Sequence, residues 1–245
     1  MSVPGRGKGR RPERPYKIPK DALALHIVLA GIFGYVWLWH LTKQANEQPI
    51  ASKYGWFFNY ATFIPLTLQF LQWPLCIIAD CVRRGKIACP ITNNLSCAIF
   101  GMATFVTAMY YGMQLTMGSL EEPKKVPLWL PHMLHTGNSI AALLDLAVCH
   151  KVRTFGWRAS ALMTGIMGAY ILWLPYSAQR NNGFPYPFME KYSALSWQYA
   201  AFSTVLLVGP LITFYLGRAL SFQISSRKSP SLFDSEAKHI LEKLG

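Results

Sequence analysis

Apolar runs of about 20 residues, the length a helix needs to cross a bilayer, succeed one another along the chain at 22–41, 57–80, 95–117, 127–148, 157–177 and 195–220. Trp37, Trp39, Trp56, Trp129, Trp157, Trp173 and Trp197 fall mostly near the ends of these runs, where amphipathic rings settle at a membrane–water interface. Pro65, Pro74 and Pro210 lie inside runs. They permit kinks without forbidding helices, because neighbouring groups re-satisfy the freed carbonyls. The pattern predicts an all-α integral membrane protein, a six-helix bundle occupying residues 21–222. Residues 1–20 are basic, rich in Gly and Pro and without periodicity, and are expected to form a disordered or extended arm. The first run is too long for a signal-peptide core and is expected to remain as a span. Residues 223–245 read as a polar tail with a short amphipathic stretch from Leu232 to Leu244.

The fourth run breaks the apolar pattern, carrying His132, His135, Thr136, Asn138, Ser139 and Asp145. Such groups are costly in hydrocarbon, so they face a protein interior or a wet cavity and mark a candidate functional site. At 3.6 residues per turn, His132, His135, Thr136, Asn138 and Ser139 group on one broad face. Asp145 lies ~15 Å further along the helix than His135. It is too far to orient the imidazole, and is expected to anchor the opposite end of the bundle or another helix.

Composition agrees with a membrane class. Charged residues make up 14% of the chain, against about 25% in soluble domains. The formal net charge of +13 invites a nucleic-acid reading. The basic residues, however, sit in the N-terminal arm and in short loops, where orientation signals and anionic-lipid contacts belong. Residues 81–94 and 149–158 carry Arg83, Arg84, Lys86, Lys151, Arg153 and Arg158 with no acid in either connecting loop, while the alternate loops are mixed. The positive-inside rule therefore places both termini in the cytosol. The Asn94-Leu95-Ser96 acceptor motif then lies on the wrong side for a glycan. The endoplasmic reticulum and the plasma membrane both fit. Five cysteines without metal-type spacing predict neither a disulfide framework nor a metal site; Cys81, Cys89 and Cys149 lie near span ends, where acylation is conceivable.

The predicted orientation brings two chemically apt groups to similar depth. Thr62 lies about five residues, or ~8 Å, into the second span, and His135 about eight residues, or ~12 Å, into the fourth. Both spans start on the non-cytosolic side. A hydroxyl becomes a nucleophile when a base takes its proton, and His is the usual base near neutral pH. Gln69 and Gln72 share a rough face with Thr62. Two other classes compete: a membrane regulator or scaffold without enzymatic activity, and a haem-binding electron carrier using His26, His40, His135 and His150.

The segment Tyr54-Gly-Trp-Phe-Phe-Asn-Tyr-Ala-Thr62-Phe-Ile-Pro-Leu resembles the second span of the androgen-induced gene family, which includes the androgen-dependent TFPI-regulating protein. The likeness continues through Gln69 and Asp80. Trp129-Leu-Pro-His132-Met-Leu-His135-Thr136 is similar to that family's W-L-N-H-x-M-H-T block, and Asp145 falls where the family has an acidic residue. A third block, Tyr170-Ile-Leu-Trp173 with Tyr186-Pro-Phe188 and Glu190, also matches. The resemblance covers roughly Tyr54 to Leu220. It implies a multi-pass threonine hydrolase acting on fatty acid esters of hydroxy fatty acids, with Thr62 as nucleophile and His135 as general base. His132, Asn138 and Gln69 become the supporting or oxyanion candidates, and no cofactor or metal is implied. The expected partners are a lipid ester substrate and membrane lipids. Pro65 and Pro131 depart from the family pattern beside the two key residues.

Overall fold

The structure, a computed structural model, describes residues 20–83, 89–117, 126–149, 153–189 and 192–228. The N-terminal arm and the Leu232–Leu244 stretch lie outside these residues. The elements in order are α1 (Lys20–Trp39), α2 (Lys43–Asn46), α3 (Phe63–Arg83), α4 (Pro90–Met117), α5 (Trp129–His132), a π turn (Met133–Gly137), α6 (Asn138–Cys149), α7 (Trp157–Asn181) and α8 (Trp197–Lys228). Three single 3-10 turns accompany them at Pro49–Ser52, Trp56–Asn59 and Pro187–Met189. No strand occurs among the described residues.

Five helices, α1, α3, α4, α7 and α8, are long and apolar enough to cross a membrane. The fourth expected span differs: α5, the π turn and α6 run on without a break from Trp129 to Cys149, so this rod is helical throughout but not α-helical throughout. α4 is the most buried of the five long helices and lies against α3, α6, α7 and α8, while α1 packs chiefly on α3. Close approach to α8 depends on small residues. A Cβ on Gly101 would meet the Met163 sulfur at 2.5 Å and the Pro210 carbonyl at 3.0 Å. The Gly101 carbonyl accepts the Thr213 hydroxyl of α8 at 2.7 Å. Outward-facing Val28, Ile78, Leu172, Ile212 and Leu216 are exposed, an apolar girdle suited to lipid rather than water.

The prolines sort by position. Pro65 and Pro131 are each the third residue of their helix, where the missing N–H has no intrahelical partner to lose. Pro74 lies inside α3 and Pro210 inside α8.

α3 begins later than hydropathy suggests. The apolar stretch from residue 57 opens with a 3-10 turn, because Gly55 adopts φ 90° and Trp56 φ 52°. A side chain on Gly55 would also strike the Trp173 ring at 2.5 Å. The Asn59 amide holds the turn by donating to the Tyr54 carbonyl at 2.8 Å and the Trp56 carbonyl at 3.0 Å. Residues 40–62 thus form a cap over one end of the bundle, here the Thr62 end. His40 is buried in this cap, its Nδ1 donating to the Val36 carbonyl at 2.9 Å and its ring edge-on to Phe57 at 4.7 Å.

The opposite end is tied by a buried ionic network. Asp145 of α6 receives Arg153 Nε at 2.8 Å on one oxygen and Arg153 Nη2 at 2.7 Å on the other. His26 of α1 lies between two carboxylates, with Nδ1 2.7 Å from Asp80 of α3 and Nε2 3.1 Å from Asp145. Carboxylate oxygens only accept, so a ring that satisfies both must donate from both nitrogens. Asp145 therefore anchors this end of the bundle and a second helix as well. Neither nitrogen of His26 is left for a haem iron, and the iron-carrier reading finds no ligand there. Cys149 is buried, with its sulfur 3.9 Å from His26 Nε2, so its thiol is not open to acylation.

Candidate functional site

At the Thr62 end, the approach to α3 is clamped by two tyrosines. Tyr170 of α7 donates its hydroxyl to the Asn59 carbonyl at 2.9 Å. Tyr186 accepts the Ala61 N–H at 2.9 Å, and the two phenols lie 3.1 Å apart. Thr62 comes next, a half-buried turn residue immediately before Phe63. Position sets its chemistry. Thr67, one turn on, gives its hydroxyl to the Phe63 carbonyl at 2.8 Å, as intramembrane threonines usually do. Thr62 precedes the helix, and its hydroxyl has no hydrogen-bond partner among the described residues.

His135 sits in the π turn. Its ring stacks on Tyr110 of α4, with centroids 3.6 Å apart and planes 6° from parallel. Its Nδ1 is buried with no partner among the described residues. Thr107, one turn before Tyr110, donates its hydroxyl to the His135 carbonyl. One turn beyond, the Tyr111 hydroxyl meets the Thr136 hydroxyl at 2.7 Å.

A direct tie links the two helices that carry the candidates. Gln69 of α3 donates to the Asn138 backbone carbonyl at 3.0 Å and to its side-chain oxygen at 3.1 Å. α3 and α6 run the same way, so this tie calibrates depth. Thr62 lies seven residues, ~10 Å, before Gln69, and His135 three residues, ~4 Å, before Asn138. His135 is therefore about 6 Å deeper than Thr62. The two are not hydrogen-bonded to each other.

The supporting candidates take other places. Gln69 and Asn138 are fully buried, and the Asn138 amide also donates to the Leu134 carbonyl at 2.7 Å. The Gln69 N–H groups thus tie α3 to α6, while the Asn138 N–H is spent on a carbonyl of its own rod. His132 is exposed, away from the face that buries Asn138 and Ser139. The π turn accounts for this: one residue more than an α-helical turn requires rotates the segment before it by about 100° relative to the segment after it. His132 and Ser139, separated by about two α turns in sequence, consequently point in different directions.

Periodicity did not single out Thr107, Tyr110, Tyr186 or Arg153. Thr107 and Tyr110 are ordinary side chains within a run, Arg153 and Tyr186 ordinary ones between runs, and only the partner across the bundle gives each a role. An open depression of about 630 Å³ lies beside the last turns of α7, lined by Leu172, Pro175, Tyr176, Phe184 and Tyr192 among others. Neither Thr62 nor His135 lines it.

Long apolar helices with an outward hydrocarbon girdle and inward polar ties define a multi-pass membrane protein. The sequence profile of the family described as FAR-17a/AIG1-like protein matches residues 22–221, from α1 into α8, and the chain belongs to this family. Human androgen-induced gene 1 protein is similar to it, 26% identical over 168 residues that cover 60% of this chain and 69% of the human protein. No solved structure matches the chain.

Proposed function

We propose that the protein is an intramembrane hydrolase of fatty acid esters of hydroxy fatty acids, built on six spans with both termini in the cytosol. Thr62 is the nucleophile and His135 the general base. The observation that carries the reading is an unpartnered ring nitrogen on His135, buried at the end of the bundle where the Thr62 hydroxyl is also unpaired. Polar atoms buried without partners are rare and commonly have a functional reason. Family membership supports the assignment, and the Thr62 and His135 positions both lie within the matched residues.

In the reaction, Thr62 Oγ1 bonds to the ester carbonyl carbon as its proton passes to His135. The tetrahedral intermediate collapses by breaking the bond to the hydroxy-acid oxygen, which takes that proton from His135 and leaves as the alcohol. Water then attacks the acyl-threonine, again giving a proton to His135, and the fatty acid departs as the Thr62 hydroxyl re-forms. With Gln69 and Asn138 engaged elsewhere, the buried Trp173 Nε1–H, which has no partner among the described residues, is a donor available at this end for the oxyanion. Substrate binding closes the distance between nucleophile and base, as catalytic hydrogen bonds commonly tighten only in the complex.

The test is labelling by a fluorophosphonate in membranes, comparing wild type with Thr62→Ala and His135→Ala at matched expression. Labelling lost in both variants is the expected result. Labelling absent from wild type, or unchanged in Thr62→Ala, refutes the threonine mechanism and brings the non-enzymatic regulator forward.

A further inference from the structure

The π turn changes the backbone pairing around His135. Within it the Asn138 N–H reaches back five residues to the Met133 carbonyl, one residue further than in an α-helix. The His135 carbonyl, inside this turn, is met by the Thr107 hydroxyl from α4. The Ser139 hydroxyl stands beside Thr107 and gives its own proton to the Ala103 carbonyl at 2.9 Å. Two carbonyls lie within reach of the Thr107 hydroxyl, that of His135 and, at 3.2 Å, that of Ala103 in its own helix; His135 is the nearer, and Ala103 already accepts from Ser139. Tyr110 holds the imidazole face, and Tyr111 holds the next side chain, Thr136. Three residues on one face of α4 thus grip the backbone, the ring and the neighbour of His135.

We infer that Thr107 is a positioning residue for His135, fixing the widened turn so that the imidazole stays aimed at the reacting groups. The inference rests on the hydrolase reading above and adds a role that neither Thr62 nor His135 supplies. Misplacement of a catalytic group by about 1 Å can cost 100-fold in rate, so loss of one backbone tie is expected to slow the chemistry rather than weaken binding.

The experiment measures the rate constant of fluorophosphonate labelling, its concentration dependence and its end-point stoichiometry for wild type, Thr107→Val, Thr107→Ser and His135→Ala. Thr107→Val keeps the shape and removes the donor. Its maximal rate is expected to fall about 10- to 100-fold, with half-saturating concentration and end-point unchanged. Thr107→Ser, which restores the hydroxyl, is expected to recover most of that rate. A general structural defect would instead lower the end-point, because fewer molecules would be competent. If Thr107→Val labels at the wild-type rate while His135→Ala does not label, the positioning role is overturned and the hydrolase reading stands. If His135→Ala labels like wild type, the hydrolase reading itself fails. Should Thr107→Val not survive extraction, Tyr110→Leu tests the same grip through the ring, and an unchanged rate there overturns the inference.

Discussion

Replacing Arg153 with methionine removes one guanidinium and two hydrogen bonds, of 2.8 and 2.7 Å, from a site where Asp145 is only 3% exposed. The stem of similar length is retained, so the loss is one of charge and donors. Asp145 then keeps only His26, which already serves Asp80. Breaking a buried pair from one side typically costs about 3–5 kcal/mol, because it strands a charge that its partner had compensated. For a chain of this size each kcal/mol moves the melting temperature by about 2–4 °C, so the expected fall is about 6–20 °C. Thermal unfolding in detergent, monitored by tryptophan fluorescence on monodisperse protein, measures it. The informative comparison is the double variant Asp145→Leu with Arg153→Met. It removes both halves of the pair and leaves His26 with Asp80 alone, so it should melt above either single variant, with a coupling energy of about 2 kcal/mol or more. Additive losses, or a single Arg153→Met variant melting within about 2 °C of wild type, would refute the view that this pair is a buried, desolvated tie.

The cap at the Thr62 end yields two other expectations. Asn59→Ala removes a buried amide that holds two backbone carbonyls and accepts the Ser177 hydroxyl, and should cost about 2–4 kcal/mol through the groups left unpaired; an unaltered melting curve would contradict it. Burial lowers the pKa of His40, just beyond the end of α1, to about 4, with the Val36 carbonyl opposing the shift. The unfolded chain, at about 6.5, binds the proton more readily, so stability is complete above that pH and declines as pH falls toward 4, by up to about 1.4 kcal/mol per pH unit. His40→Asn should flatten this slope between pH 6.5 and 4.5 in melting experiments, and an identical slope would assign it elsewhere.

What the chain discloses on its own is uneven for physical reasons. Hydropathy finds α1, α3, α4, α7 and α8 because crossing a bilayer demands long apolar stretches whatever packs inside. It misplaces the start of α3, since Phe57 and Phe58 are as apolar as a span but Gly55 and Asn59 fold them into a cap. The grouping of His132 with His135 assumes an unbroken 3.6-residue repeat, and one extra residue in Met133–Gly137 is enough to turn His132 outward. Nothing in the side chains of that segment marks the wider turn, because its support comes from Thr107, 28 residues earlier. Arg153 is hidden for another reason. A cation just past an acid-bearing span looks the same whether it sets orientation or enters the bundle to pair with that acid. Asp145 was legible as an anchor, but its partners were not.

The same network carries a consequence for biosynthesis. His26 belongs to the first helix made, while Asp80 emerges 54 residues later and Asp145 119 residues later. At about 5–20 residues per second, the interval before Asp145 emerges is about 6–24 s. Until Asp80 emerges α1 carries an imidazole with neither carboxylate made, and until Asp145 emerges it has only one of the two. The contacts of the first helix are thus completed only when the fourth apolar run has been made. A chain that ends between Asp80 and Asp145 can satisfy His26 through Nδ1 alone, leaving Nε2 without the acceptor that the finished fold supplies.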